Sequence, residues 1–154
     1  MMTVTLRALR KFAILGALLV SAGTVFAQNA SPVGLWQTVD DKTGHPLALV
    51  KISENADGTL SGVVVQGLTP GANLKVRCTK CTDERKDQPI LGMTIIRAMK
   101  HDGAVWDGGD VLDPKSGQVY RCKLSLTDGG QQLVVRGYIG VSLFGRSQTW
   151  IRQQ

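Results

Sequence analysis

The stretch MTIIRAMKHDGAVWDGGDVLDPKSGQVYRCKLSLTDGGQQLVVRGYIGVSLFGRSQTWIR, residues 93–152, decides the fold of this chain. Its apolar runs are rich in β-branched and aromatic residues, and the clusters HDG, DPKSG and TDGG separate them. Such runs predict β-strands, and the clusters predict turns. Short turns with no helical pattern between the strands favour antiparallel pairing. A small twisted sheet with one buried face tends to close on itself or to pack on another sheet.

Three more strand patterns precede this meander, at residues 34–39, 47–53 and 60–66. With the five that follow, the count is about eight, which is the number that closes an up-and-down barrel able to hold one small ligand. We therefore predict an all-β fold, a small closed antiparallel β-barrel. Residues 67–89 form the one long connection, and connections of this length are often functional or cross-linked.

The first 27 residues have the pattern of a cleavable bacterial export signal. The chain begins with basic residues at Arg7, Arg10 and Lys11. Residues 12–20 are apolar but too few to span a bilayer, and small residues follow up to Ala27. We expect cleavage after Ala27 and a mature protein that is periplasmic or secreted. An uncleaved N-terminal anchor is the alternative.

Residues 28–33 are expected to form a flexible lead-in, and residues 34–152 a single barrel domain without a transmembrane segment. The net charge of +6 includes the basic residues of the export signal. The charged run at residues 80–87 mixes both signs, which is typical of a solvated loop and not of a nucleic-acid-binding patch. We expect no nucleic-acid partner, and the oligomeric state does not follow from the sequence.

Several sequence blocks are long enough to carry a resemblance: GLWQTVDD at residues 34–41, Trp106-x-Gly-Gly, Leu112-Asp-Pro-x-x-Gly, Arg136-Gly-Tyr and Phe144-Gly-Arg-x-Gln-Thr-Trp150. Over residues 34–152 the chain closely resembles an exported bacterial family known as domain of unknown function 2147. The resemblance implies a lipocalin-like barrel of the calycin type, shaped as a small calyx. The family brings no established activity or catalytic residue.

A second resemblance to lipocalins concerns the closure of the barrel. Gly34-x-Trp36 lies on the first predicted strand, and Arg152 ends the last one. In lipocalins the corresponding tryptophan closes the barrel floor under a basic side chain from the C-terminal strand. A cation over an indole face contributes about 0.5–2 kcal/mol. The alternative is that Trp36 is an ordinary core residue. Its role is structural in both interpretations.

The three cysteines leave several pairings open. In an oxidising compartment Cys78 and Cys81 are expected to form a disulfide that fixes the long connection, with Cys122 buried as a free thiol. The alternatives are a bridge from this connection to Cys122, a redox-active Cys-x-x-Cys, or a zinc site completed by His45 or His101. The redox role needs a helix N-terminus, which the pattern does not predict.

No catalytic, cofactor-binding or metal-binding constellation stands out, so we expect neither a cofactor nor a metal. The candidate ligand-binding residues are Trp106, Tyr120, Arg136 and Tyr138. Tyr120 shares the inward face of its strand with Cys122, whereas the alternation around Arg136 is ambiguous. An inward Arg136 would need a carboxylate or an anionic ligand, and an outward one a surface partner.

We predict that the protein binds a small apolar or amphiphilic, lipid-like molecule in its barrel without catalysis. The alternatives are an envelope-associated interaction protein with a filled barrel, meeting its partner through residues 67–89 or 141–146, and an enzyme of unknown class. A binder needs an interior void of a few hundred cubic ångströms. An interaction protein needs an exposed apolar patch instead.

Overall fold

The structure, a computed structural model, describes residues 31–71 and 76–154 of the chain. Over these residues it contains eight strands: β1 Gly34–Val39, β2 Pro46–Glu54, β3 Leu60–Gly67, β4 Thr94–Asp102, β5 Val105–Asp113, β6 Gln118–Thr127, β7 Gln132–Tyr138 and β8 Gly145–Gln153. Each strand pairs antiparallel with the next, and β8 pairs with β1, so the sheet closes into a barrel. The predicted all-β closed barrel is confirmed, and the strands predicted at residues 34–39, 47–53 and 60–66 lie within one residue of those bounds.

The connections alternate between the two ends of the barrel. The β1–β2, β3–β4, β5–β6 and β7–β8 connections meet at one end, which we call the open end. The other end, the closed end, carries the β2–β3 and β4–β5 turns and the 3-10 turn Asp128–Gly130 between β6 and β7. The start of β1 and the end of β8 lie there as well. This alternation follows directly from an up-and-down meander, in which successive strands run in opposite directions.

Alternation along the strands assigns the two faces of the sheet. On β6, Cys122 and Leu124 are fully buried inside the barrel, as predicted. On β7 the inward positions are Leu133 and Val135, and the residues between them face outward. The register of β6 and β7 pairs inward residues with inward residues, for example Leu124 with Val135. The ambiguity that period 2 left on β7 is therefore resolved by pairing with its neighbours.

The glycine pair on β5, Gly108 and Gly109, lies at an irregularity of the sheet. The register between β5 and β6 shifts between Trp106 and Gly109. A side chain on Gly109 would place its Cβ 2.0 Å from the carbonyl oxygen of Arg97 and 2.6 Å from Met99 Sδ. Only glycine fits at this point, because the backbone of β4 approaches β5 too closely for any Cβ.

Trp36 and Arg152 hold the closed end together. Trp36 is fully buried, its Nε1 donates to the Pro32 carbonyl oxygen at 2.7 Å, and the Arg152 guanidinium lies 4.2 Å from its ring. The same guanidinium donates to the carbonyl oxygens of Ser31, Val33 and Gly130 at 2.7–2.9 Å. The described part of the expected flexible lead-in, residues 31–33, is thus bound to the barrel.

Gly34 is required by the same arrangement. Its φ is +146°, and a Cβ there would lie 2.6 Å from Arg152 Nη1. An L side chain would therefore be strained and would displace the guanidinium from Trp36. The three residues Gly34, Trp36 and Arg152 depend on one another at the closed end.

The long connection between β3 and β4, residues 68–93, is described apart from residues 72–75. Cys78 and Cys81 form a disulfide, so the predicted pairing is confirmed, and Cys122 is a buried free thiol. The bridge packs over the β5–β6 turn, since Cys78 Sγ lies 3.5 Å from the Pro114 carbonyl oxygen. A side chain on Gly117 would collide with the carbonyl oxygen of Lys80, 2.0 Å away.

An internal ion pair shapes the rest of this connection. Arg85 is 5% exposed, and its guanidinium bonds both carboxylate oxygens of Asp83, while Nη1 donates to the Thr94 carbonyl oxygen at 3.1 Å. Arg97 on the outer face of β4 forms an ion pair with Glu84 at 2.5 Å. The connection is therefore held to β4 by charged groups, and its disulfide packs against the β5–β6 turn.

The predicted export signal, residues 1–27, lies outside the described residues. Among the residues that the structure does describe, no helix has the length and apolar character needed to cross a membrane.

Candidate functional site

The barrel is hollow at its open end. A cavity of about 1220 Å³ lies between the four connections that meet there and extends down into the barrel. Inward side chains form its inner wall: Ala48, Val50, Val64, Val111, Val135 and Trp150. The wall is mainly apolar, and we call this space the cup.

The cup ends about half-way down the barrel, because the lower inward positions are packed against one another. On β2, Val50 lines the cup whereas Ile52, one inward position lower, is fully buried in the core. On β7, Val135 lines the cup and Leu133 is buried below it. Other lower residues fill the same layer: Trp36, Met99, Cys122 and Leu124. The barrel thus has a filled lower half and an open upper half.

Small residues at upper inward positions make the room. Ala48 and Gly137 lie where a larger side chain would enter the cup. A Cβ on Gly137 would lie 3.3 Å from Tyr120 Cβ and 3.5 Å from Val111 Cγ1, which shows that Gly137 faces the interior. Gly137 therefore leaves space in front of the Tyr120 ring.

Three polar side chains at inward strand positions face the cup. Thr38 lines it from β1, and its hydroxyl donates to the Ala48 carbonyl oxygen at 3.4 Å. Gln148 lines it from β8, and its Oε1 accepts a hydrogen bond from Trp150 Nε1 at 3.2 Å. Tyr120 lines it from β6, and its hydroxyl has no hydrogen-bond partner among residues 31–71 and 76–154. A phenol and an amide on a mainly apolar wall are groups that could orient the polar part of a ligand, whereas the Thr38 hydroxyl is bonded to the main chain.

The predicted ligand-binding residues do not all meet at the cup. Tyr120 and Tyr138 line it, but Trp106 and Arg136 do not. Tyr138 forms part of the wall near the rim, where its hydroxyl donates to Asp107 Oδ1 at 3.2 Å, and the Arg121 guanidinium lies 6.0 Å from its ring. The hydroxyl of Tyr138 is thus directed to groups on the outer face of the sheet.

Trp106 belongs to the packed core and not to the cup. It is 8% exposed and pairs across the sheet with Leu124, near the closed end. Its ring lies 4.9 Å from that of His101. Trp106 is the second residue of β5, and β5 starts at the closed end. The count of strands along the meander could have indicated this position.

Arg136 lies on the outer face of β7 and holds the β7–β8 connection. Its Nε donates to the Ser142 carbonyl oxygen at 2.8 Å, its Nη2 to the Leu143 carbonyl oxygen at 3.2 Å, and its Nη1 to Ser147 Oγ at 3.0 Å. Of the two orientations that the sequence left open for Arg136, the structure shows the outward one. The neighbouring Val135 takes the interior position, main-chain carbonyls and Ser147 Oγ satisfy the guanidinium, and Arg136 does not line the cup.

Charged residues surround the mouth of the cup. Of the described residues that line it, the basic ones are Lys42, Arg77, Lys80, Lys115 and Arg146, and the acidic ones are Asp40, Asp41 and Asp113. Asp41 pairs with Arg146 at 3.2 Å. Asp40 and Asp113 accept hydrogen bonds within their own turns. The sequence analysis did not identify this basic surplus, because its members come from three separate connections and from the start of β8.

The Asp40 carboxylate is held in its charged form by the turn that it begins. The main-chain N–H groups of Thr43 and Lys42 donate to its Oδ1 at 2.9 and 3.0 Å. These bonds lower the pKa of Asp40, with a smaller contribution from the charge of Lys115 across the mouth. The carboxylate therefore serves the turn, and its geometry is not that of a general base.

Two further titratable groups have shifted pKa values but no catalytic geometry. Burial, together with the negative charges of Asp110 and Asp107, raises the pKa of Cys122 to about 12, so its thiol is unreactive. For Asp107, burial acts to raise the pKa, but the hydrogen bonds from Lys123, Gly108 N–H and Tyr138 outweigh it and lower the pKa. Asp107 forms an ion pair with Lys123 at 3.0 Å outside the cup.

Within the described part of the chain, no group of three or more His, Cys, Asp or Glu side chains is arranged to hold a metal ion. The Cys78–Cys81 disulfide takes those two sulfurs out of any zinc site. What the geometry provides is a cup with mainly apolar walls, three polar side chains and a mouth with a surplus of basic residues.

Comparison with solved structures agrees with this architecture. A protein from Helicobacter pylori, described as HP1028 and as a member of the lipocalin family, superposes with a TM-score of 0.68 over 80% of this chain and 84% of its own, at 15% sequence identity. At this identity the similarity concerns the fold, which is lipocalin-like. None of the curated proteins compared with this chain matches it. Residues 34–152 match the model of a family described as uncharacterised proteins conserved in bacteria, and the chain therefore belongs to that family, domain of unknown function 2147.

Proposed function

We propose that the protein binds a small amphiphilic, lipid-like molecule in the cup and does so without catalysis, in the periplasm or outside the cell. The observation that carries the proposal is the hollow upper half of the barrel. A volume of about 1220 Å³ exceeds the usual range for small-molecule pockets, which is about 300–1,000 Å³, so a long apolar chain fits.

The wall and the mouth of the cup favour different parts of such a ligand. An apolar chain would lie against Val50, Val64 and Val135, where each buried CH₂ contributes about 0.8 kcal/mol. The lysines at the mouth would face an anionic head group, and the unpaired hydroxyl of Tyr120 could donate to it from below. Fatty acids and other single-chain anionic amphiphiles combine these two properties.

A cup-filling variant tests the proposal. Ala48→Trp places an indole at an upper inward position of β2, whereas Thr149→Trp places the same group on the exposed outer face of β8 as the matched control. We expect Ala48→Trp to weaken the binding of a fluorescent fatty acid at least about tenfold, which corresponds to 1.4 kcal/mol, and Thr149→Trp to leave it unchanged. Circular dichroism and thermal unfolding establish that both variants are folded.

Native mass spectrometry of the exported protein supplies an independent measurement. We expect wild-type protein to retain a mass of lipid size that Ala48→Trp has lost. The proposal fails if the wild-type protein is empty and binds no fluorescent fatty acid. It also fails if a folded Ala48→Trp variant binds as tightly as the wild type.

A further inference from the structure

The β7–β8 connection, residues 139–144, presents an apolar surface at the open end, and we call it the rim loop. It contains the most exposed large apolar side chains among the described residues: Ile139 at 67%, Val141 at 60%, Leu143 at 79% and Phe144 at 74%. Single exposed apolar residues are ordinary, but four within six positions form a patch of the kind that marks a binding surface.

The rim loop is held in this exposed form. The Arg136 guanidinium bonds the carbonyl oxygens of Ser142 and Leu143 from outside the barrel. A tight turn closes within the loop, where Phe144 N–H donates to the Val141 carbonyl oxygen at 3.1 Å. The main chain is thus fixed at both points, and the side chains of Ile139, Leu143 and Phe144 lie exposed at the mouth of the cup, whose lining they join.

The surroundings of the rim loop are basic. Arg146, two residues after the loop, is 69% exposed at its side chain and pairs with Asp41. Lys42, Lys80 and Lys115 lie exposed on the other connections of the same end. The turns at the closed end carry acidic residues instead: Glu54, Asp57, Asp102 and Asp128. The lining of the mouth, with five basic and three acidic side chains, therefore combines a net positive charge with exposed apolar side chains, whereas the turns at the closed end carry acidic residues.

We propose that the open end docks onto the surface of a bilayer containing anionic phospholipids, with Leu143 and Phe144 inserted between the head groups and the lysines of the mouth against the phosphates. Apolar side chains flanked by basic ones are the combination that binds such an interface. The negative surface potential attracts each nearby basic side chain. The acidic closed end is repelled, which orients the molecule.

This docking goes beyond the proposed ligand binding and would give it a direction. With the mouth of the cup against the head groups, a lipid chain could pass from the bilayer to the apolar wall without crossing water. The docking itself needs no ligand, so it can be measured on its own.

The test is flotation of the exported protein with vesicles of phosphatidylglycerol and phosphatidylcholine, or of phosphatidylcholine alone. All variants share one N-terminus, verified by mass spectrometry, so any contribution of the leader is common to them. We expect the wild type to float with the anionic vesicles and to be released as the salt concentration rises. Leu143→Asp/Phe144→Asp should lower the partition coefficient about tenfold or more.

Two controls separate the patch from general effects. Ile151→Asp makes the same change on an apolar side chain that is 39% exposed on the outer face of β8, and it should leave flotation unchanged. Lys42→Gln/Lys115→Gln should weaken flotation several-fold, whereas Lys51→Gln/Lys100→Gln, with equal charge change, should have a smaller effect. Circular dichroism and thermal unfolding check that each variant is folded.

Three results would overturn the docking. They are no flotation of the wild type, equal flotation with phosphatidylcholine alone, and equal flotation of Leu143→Asp/Phe144→Asp. If light scattering shows a dimer that this double variant dissociates while the wild type ignores vesicles, the rim loop is a self-association surface instead. If the wild type then still binds fluorescent fatty acid, the docking fails and the proposed function stands. If Ala48→Trp loses fatty acid binding but floats normally, docking and ligand binding are shown to be independent.

Discussion

The two halves of this barrel use the same strands and differ in what their side chains do. At the closed half, Trp36, Ile52 and Leu133 are fully buried and fill the interior. At the open half, the next inward positions on the same strands line a cavity. One set of strands can thus provide both a stabilising core and a binding space, because the sheet needs packing along only part of its length.

Each half also has its own arginine clamp. Arg152 at the closed end bonds three carbonyl oxygens and lies over Trp36, so it joins the start of the barrel to its last strand. Arg136 at the open end bonds two carbonyl oxygens of a single loop next to it in sequence. The first clamp closes a barrel and the second shapes a surface, so their loss should affect different properties.

The largest difference between the halves should appear on truncation of an aromatic residue in each. Trp36→Ala removes a fully buried side chain and should lower the free energy of unfolding by about 3–5 kcal/mol. Tyr120→Ala removes a half-buried ring that faces the cup, and it should cost less than about 2 kcal/mol. Urea denaturation of both variants measures this, and equal losses would mean that the upper half is packed as tightly as the lower one.

Substitution of the two arginine clamps should change the free energy of unfolding by smaller amounts, which also differ between the halves. Arg152→Gln should lower the free energy of unfolding by about 2–3 kcal/mol, because it removes charged hydrogen bonds and the contact with the indole. Arg136→Gln should cost about 1 kcal/mol or less, yet it should increase hydrogen exchange and proteolysis in residues 139–144. If Arg136→Gln left the loop as protected as before, the clamp would have no role in presenting it.

The smallest predicted effect concerns acid and the β3–β4 connection. The hydrogen bonds from the Arg85 side chain and its main-chain N–H lower the pKa of Asp83 from 3.8 to about 2. Since the folded pKa is the lower one, this pair stabilises the fold above about pH 4, and the contribution disappears as the pH falls toward 2. Asp83 is 30% exposed, so we expect roughly 1 kcal/mol.

Asp83→Asn provides the measurement for that pair. In thermal unfolding, the variant should be less stable than the wild type at pH 6, and the two should have nearly equal stability near pH 2. Glu84→Gln, at a more exposed carboxylate of the same connection, is the control and should change the profile less. A pH profile identical in Asp83→Asn and the wild type would exclude the ion pair as a source of acid sensitivity.

The strands were predictable because their signals are local. Turn clusters such as Asp57-Gly58 and the alternation on β6 depend on residues next to one another in the chain, so the strand order and the inward position of Tyr120 follow from pattern alone. The Cys78–Cys81 pairing was favoured for the same reason, since the two cysteines are close in sequence. The orientation of the Arg136 side chain could not be predicted, because both faces of β7 carry apolar residues.

The sequence by itself determined an all-β chain that closes into a barrel, the family to which it is related, and the residues that meet at Gly34, Trp36 and Arg152. Only the tertiary structure decided where the interior is filled and where it is hollow, and which connections share the open end with which charges. The physical reason is that a cavity, or a basic and apolar rim, is a sum over side chains from every strand and turn around the barrel. The alternation of side chains along one strand indicates which face is buried. It carries no information about the side chains on the opposite side of the barrel interior.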